Sequence, residues 1–254
     1  MVYYVTYKAS RETEHRSQIA RQLRDLGCRQ IRKSFWEVDE AKIRTVAGML
    51  KGNSPVVMRR IREIRKPGFT EEKECSDLGS LTVVAYRIPK GMKKGMVERI
   101  SRRAPYIRLC RGVYAFSQHQ ERFARDSRLA DARGFWESVR EFDSEAALMP
   151  RLVIVNRRAV PRLLEDTRMR VERTVSNIVD SYRALYRKVN KGEIDEQRAV
   201  RMARNLRRKF AIAKKVAESY ERWLRMDFSS ILVKPYYSIR KVRLLFEEKH
   251  ATIY

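Results

Sequence analysis

Three runs of cations carry the chemistry that is easiest to read from this sequence. Arg59, Arg60, Arg62, Arg65 and Lys66 form the first. Lys90, Lys93, Lys94, Arg99, Arg102 and Arg103 form the second, and Arg201, Arg204, Arg207, Arg208, Lys214 and Lys215 the third. One such run is an ordinary solvated face. Three, with few acidic residues to answer them and a formal net charge of +26, indicate a surface that meets a polyanion. An excess of this size is not needed for solubility and opposes compaction through self-repulsion. Phosphates that neutralise it release counterions. Arginine outnumbers lysine, and its planar fork suits bidentate phosphate contact and stacking on bases. RNA or DNA is therefore the expected partner. An anionic membrane surface ranks second, and no run approaches the roughly 18 apolar residues of a membrane-spanning helix.

Other chemistry is thin. Cys28, Cys75 and Cys110 form no CxxC pair, so neither a zinc site nor a disulfide framework is expected. Three free thiols fit a reducing, cytoplasmic setting. His15, His119 and His250 are scattered. His119 and Cys110 are a candidate base and nucleophile without an orienting third group. The chain has no Gly-rich phosphate loop, GxSxG or HExxH. Gly91 and Gly95 flank Met92-Lys93-Lys94 at a helix start, which is either a phosphate site or an ordinary turn. No cofactor or metal site is expected. Tyr106, Tyr114, Tyr236 and Tyr237 lie near cations, where they either stack on bases or belong to the core. The start, Met1-Val2-Tyr3-Tyr4, runs quickly into charge, unlike a signal peptide. Few Asn and Gln beside many Arg and Glu is a thermophile-like composition.

The elements that must hold these residues are announced by a repeat. Tyr3-Tyr4-Val5-Thr6-Tyr7-Lys8 reappears as Thr82-Val83-Val84-Ala85-Tyr86-Arg87, and Ile31–Val38 as Leu109–Phe116. The offsets are 79 residues (Tyr7 to Tyr86) and 78 (Trp36 to Tyr114). Each copy runs from an apolar strand, through a basic helix, to a second strand carrying aromatics. Ser10 can cap the first helix, and Gly27 ends it. Asp39 can cap the second, through Ala41, Ile43, Val46 and Leu50, and Pro55–Ile61 closes the unit. The order is β-α-β-β-α-β, the ferredoxin-like arrangement. Lys66-Pro67-Gly68 and the acidic stretch after it read as a linker. The second copy closes on the apolar run Leu152-Val153-Ile154-Val155.

A strand ending in tyrosine, a basic helix, and then Lys33-Ser34-Phe35-Trp36-Glu37 resembles the small CRISPR-associated nuclease-fold proteins of the spacer-acquisition complex, the "Cas-two" family. The resemblance covers about Val2 to Ile61, more weakly Leu81 to Val155, and nothing beyond. Members of that family usually work as homodimers, so a fused tandem implies an intramolecular version of that dimer. In the family an aspartate stands beside the strand-end tyrosine, and a pair of them holds a divalent metal for hydrolysis. Lys8 and Arg87 occupy those places here. Cations repel magnesium. They either receive a phosphate or simply solvate the strand ends.

After Val160 the period becomes seven. Leu164, Val171, Ile178 and Leu185, then Ala199, Leu206, Ala213 and Tyr220, mark two helices joined at Asn190-Lys191-Gly192, with Asp195 as a cap. The pattern predicts an antiparallel hairpin whose helices satisfy each other. The tail is read as Ile231–Lys234, a break at Pro235, and a short helix from Ser238 that packs back on the body.

The expected architecture is α+β: two tandem ferredoxin-like (βαββαβ) units, residues 1–66 and 81–157, with a linker at 67–80, a basic helical hairpin at 158–226 and a tail at 227–254. The expected function is non-catalytic nucleic-acid binding, mainly through the backbone, as a scaffold in a ribonucleoprotein or CRISPR-type complex. Two rivals stand beside it. One is a metal-dependent nuclease with displaced carboxylates such as Glu37 and Asp39. The other is an assembly factor whose hairpin docks on protein.

Overall fold

In the first strand, β1 (Val2–Thr6), Tyr4, Val5 and Thr6 are all buried. Burial of successive residues means that both faces of the strand are covered, which is why the sequence shows apolar runs rather than alternation. The computed structural model describes residues 1–8, 14–88, 92–118 and 129–251, without the side chains of 14–16, 92–94, 243 and 245–251. Two compact units form: residues 1–167 with 223–225, and residues 168–222 with 226–254.

The first unit continues through α1 (Glu14–Asp25), β2 (Arg29–Arg32), β3 (Phe35–Asp39), α2 (Ile43–Met49) and β4 (Val56–Arg60). A small two-stranded sheet follows, β5 (Gly68–Phe69) and β6 (Cys75–Asp77). Then come β7 (Leu81–Ala85), α3 (Met92–Arg102), β8 (Tyr106–Cys110), β9 (Val113–Ser117), α4 (Ala132–Arg140) and β10 (Ala147–Ile154). Eight strands make one antiparallel sheet in the order β2-β3-β1-β4-β10-β7-β9-β8.

The two halves of this sheet have the same order and register. Val5 stands opposite Trp36, and Val84 opposite Tyr114. The Tyr7 amide donates to the Ser34 carbonyl at 3.3 Å, and the Tyr86 amide to that of Gly112 at 2.9 Å. Ser34 and Gly112 both have positive φ, 61° and 80°. The halves meet where β4 pairs with β10, Met58 opposite Ile154. The Cys110 thiol lies 3.6 Å from the Ser34 carbonyl. Because β2 and β8 are the edge strands, this contact requires a sheet rolled far enough to bring its two edge turns together.

Rolling gives the sheet an inner and an outer face. Phe35, Met58, Val83, Ile107 and Ala115, all fully buried, share the inner one. On the outer face Val5, Tyr7 and Trp36 pack with Ile19, Leu23 and Leu50. Val84, Tyr86 and Tyr114 pack there with Val97, Phe135 and Val139. Asp131 caps α4 by accepting from the Gly134 amide at 2.7 Å. Asp39, expected to cap the second helix, heads a 3-10 turn and makes no side-chain cap bond. Ser10 lies outside the described residues.

The stretch expected as a linker is a tied excursion. The Arg65 amide donates to Ser80 Oγ at 2.7 Å, and the Ser80 amide to the Arg65 carbonyl at 2.9 Å. Cys75 and Leu78 are buried, and Trp223 Nε1 donates to the Leu78 carbonyl at 3.1 Å. Arg225 lies 4.1 Å from the Phe69 ring centroid.

In the second unit α5 (Val160–Asn190, which begins in the first), α6 (Glu196–Leu224) and α7 (Ser229–Ala251) are long helices. The heptad seam is buried from Val171 to Val189 and from Leu206 to Tyr220, and Gly192 ends the turn at φ 69°. The hairpin is not self-sufficient, however. Helix α7 runs unbroken through Pro235, clusters with the hairpin and not with the body, and buries Ile231, Leu232 and Val242. Tyr236 meets Phe210 edge-on at 5.2 Å. A proline inside a helix costs about 3 kcal/mol. Burying several aliphatic side chains at ~1.5–3 kcal/mol each offsets that.

Candidate nucleic-acid interface

Helix α6 presents the clearest basic face. Its start is fixed by Asp195, whose carboxylate accepts from the Arg198 amide at 2.7 Å. Its buried seam (Ala199, Leu206, Phe210, Ala213, Ala217) fixes its rotation. Arg201, Arg204 and Arg208 then fall at i, i+3 and i+7 on the opposite side, and all are exposed. Arg207 and Lys209 are exposed beside them. No Asp or Glu stands between Glu196 and Glu218. Among the described residues, Arg201, Arg204 and Arg208 have no ion-pair partner. Like charges at i, i+3 and i, i+4 each cost a few tenths of a kcal/mol, which an anion lying along the helix would relieve. Lys214, at the far end, is 3.9 Å from Glu218 and 3.4 Å from the Tyr236 hydroxyl, and Lys215 is half-buried.

The cations of the first unit divide by how they are answered. Arg60, Arg62, Arg65 and Lys66 are exposed on and after β4, while Arg59 is half-buried with its Nε enclosed. Lys8 pairs with Asp166 at 2.5 Å. Arg87 is exposed, and its backbone amide donates to Asp143 at 2.6 Å. Arg32 lies 3.7 Å from the same Asp143 and also donates to the Glu145 carbonyl. Arg99 on α3 and Arg103 just after it are exposed, and Arg102 sits 4.0 Å from Glu98. Lys90 and Gly91 lie outside the described residues, as do the side chains of Lys93 and Lys94. The two carboxylates of the nuclease alternative differ: Glu37 is held by Arg29 at 3.1 and 2.5 Å, and Asp39 is exposed. Among the described residues, no group of three or more His, Cys, Asp or Glu is arranged to hold a metal ion. No helix there is long and apolar enough to cross a membrane.

Tyr106 and Tyr114 are core residues, not stacking platforms. Both are buried, with rings 4.4 Å apart, inside a cluster containing Tyr86, Phe116 and Phe135. Burial pushes the Cys110 thiol up to about 12 and the Cys75 thiol up to about 11, so neither supplies a thiolate nucleophile near neutral pH. His119, the base suggested for Cys110, lies outside the described residues, as do the side chains of His15 and His250.

A second feature escaped the sequence reading. Helices α5 and α7 border a groove of about 930 Å³. Arg183, Tyr186 and Arg187 line it from α5, and Lys234, Tyr237 and Lys241 from α7. These residues recur at helical spacing on both sides. The signal was readable only if α7 was taken as one continuous helix.

The chain matches no protein-family model, no curated protein and no solved structure.

Proposed function

We propose that this protein binds RNA or DNA without cleaving it, mainly through the sugar-phosphate backbone, and serves as a scaffold in a larger nucleoprotein assembly. The observation that carries this reading is the α6 stripe of Arg201, Arg204 and Arg208, exposed and unanswered by any described carboxylate. Helix packing alone gives no reason to line up like charges there. An overall excess of 57 Lys and Arg over 31 Asp and Glu supplies the long-range attraction. The exposed cations after β4 add a separate basic patch on the first unit.

In the finer reading, the first unit is a tandem of two ferredoxin-like repeats, a fused counterpart of a "Cas-two" dimer. The shared strand order, the Val5–Trp36 and Val84–Tyr114 registers and the matching positive-φ turns support it. Where that family has its metal-binding aspartates, Lys8 is engaged with Asp166 and Arg87 carries a positive charge. This chemistry favours holding phosphates over hydrolysing them. The test is binding of a labelled strand, with and without magnesium, followed on a sequencing gel. Retention of intact strand is expected. Cleavage lost in Glu37→Ala would replace this reading with the nuclease.

A further inference from the structure

We propose that the groove between α5 and α7 is a site for single-stranded nucleic acid, in which Tyr186 and Tyr237 stack on unpaired bases while Arg183, Arg187, Lys234 and Lys241 hold the flanking phosphates. The proposal rests on the nucleic-acid reading and adds the form of strand that is recognised. Two aromatic rings line one concavity, and Tyr237 is 68% exposed. Among the described residues neither ring has an aromatic partner, unlike Tyr236, which is seated on Phe210. Leu244, 43% exposed, extends the apolar strip. Such rings cost hydration in the free protein and gain when a flat, hydrophobic surface covers them.

Charge selects the occupant. Among the described residues, four cations line the groove against one carboxylate, Asp180, which is 3.2 Å from Arg183. An apolar protein helix would leave those cations without partners. A free phosphate would leave the rings uncovered. A duplex offers phosphates but keeps its bases stacked inside. A single strand offers both, since every unpaired base has a face to stack and each is linked to a phosphate. The volume lies near the upper end of ordinary ligand sites, roughly 300–1,000 Å³. This chemistry is common to RNA and DNA.

The experiment uses the full chain with fluorescent oligo-dT, oligo-U and a blunt DNA duplex, read by anisotropy at one salt concentration. Tyr186→Leu and Tyr237→Leu keep apolar bulk but remove the stacking face. Both sites are exposed enough to keep the fold, which the thermal transition checks. Each is expected to weaken binding of the single strands about fivefold or more while leaving duplex binding unchanged. Whichever of oligo-dT and oligo-U loses more identifies the strand the site prefers. Equal losses on strand and duplex would overturn base stacking. Unchanged single-strand binding in both variants, with binding lost in the α6 charge reversals, would overturn this site alone. A parent that binds none of the three probes would overturn the nucleic-acid reading itself, and capture of poly-glutamate instead would assign the groove to an acidic protein.

Discussion

Reversing the α6 stripe (Arg201→Glu, Arg204→Glu, Arg208→Glu) isolates the electrostatic contribution of one helix face. All three side chains are exposed and have no described ion-pair partner, so each substitution alone is expected to shift stability by no more than about 0.5 kcal/mol. Each phosphate contact contributes about −0.9 to the log–log salt slope on duplex DNA and about −0.7 on single strands. If about six cations make contact, the parent slope is roughly −4 to −6. Removing three flattens it by about 2 on single strands and nearly 3 on duplex. Affinity near physiological salt should fall at least about tenfold, or ~1.4 kcal/mol. The assay is anisotropy of a labelled strand between about 50 and 200 mM salt. A control reversing Arg21, Arg44 and Lys51, exposed on the first unit, changes net charge equally and should leave the slope near the parent's. An unchanged slope in the α6 variant, or equal flattening in both, would show that α6 is not a contact and that only net charge matters.

The repeated turns make a contrast in stability. A Cβ at Gly112 would lie 2.5 Å from the Tyr86 carbonyl oxygen, at φ +80°, so Gly112→Ala should cost about 2 kcal/mol or more by urea denaturation. Ser34→Gly, at the matching position with φ 61°, should change stability by no more than about 1 kcal/mol. A Gly112→Ala protein as stable as the parent would refute the close approach. All three thiols are buried and should resist aromatic disulfide reagents until the chain unfolds. Cys75 and Cys110 hold their protons to about 11 and about 12 in the folded state, against about 8.5 when unfolded. The unfolded state therefore sheds protons first. The contribution of each thiol to stability is complete below about pH 8.5 and falls by up to about 1.4 kcal/mol per unit as pH rises towards its folded value. Cys110→Ala should flatten this alkaline decline in urea midpoints, and an equally steep decline in that variant would remove the thiol as its cause.

The α+β class was legible because local pattern and tertiary burial agree in β1, β7, β9 and the heptad seam. Val5 with Trp36 and Val84 with Tyr114 show why: β-branched and aromatic residues occupy the same places in both halves. The tail was misread at Pro235, where a local penalty was outweighed by burial of Ile231, Leu232 and Val242. The excursion from Pro67 to Ser80 looked like a linker because nothing within it signals order. Its ties are the Arg65–Ser80 hydrogen bonds and the distant Trp223. The α6 stripe was visible as helical spacing. The α5–α7 groove was not, since it exists only after α7 is placed.

Partner geometry, more than position on the surface, separates cations that hold the fold from those available to a ligand. Arg32, 16% exposed by its side chain, meets Asp143, 10% exposed. Removing Arg32 would leave the enclosed Asp143 carboxylate without its cation, which costs several kcal/mol, whereas without Asp143 the Arg32 guanidinium still lies 3.7 Å from Glu145. Lys8 and Asp166, at 41% and 30%, form a more exposed pair of the kind worth no more than about 1 kcal/mol, so a phosphate at the strand end would compete with a carboxylate already in place. At Arg201, Arg204 and Arg208 on α6 no described carboxylate competes. A phosphate there gains contact with Arg201, Arg204 and Arg208 and relieves their mutual repulsion. Equal formal charge therefore implies unequal affinity, with the α6 stripe favoured over Lys8 at the end of β1.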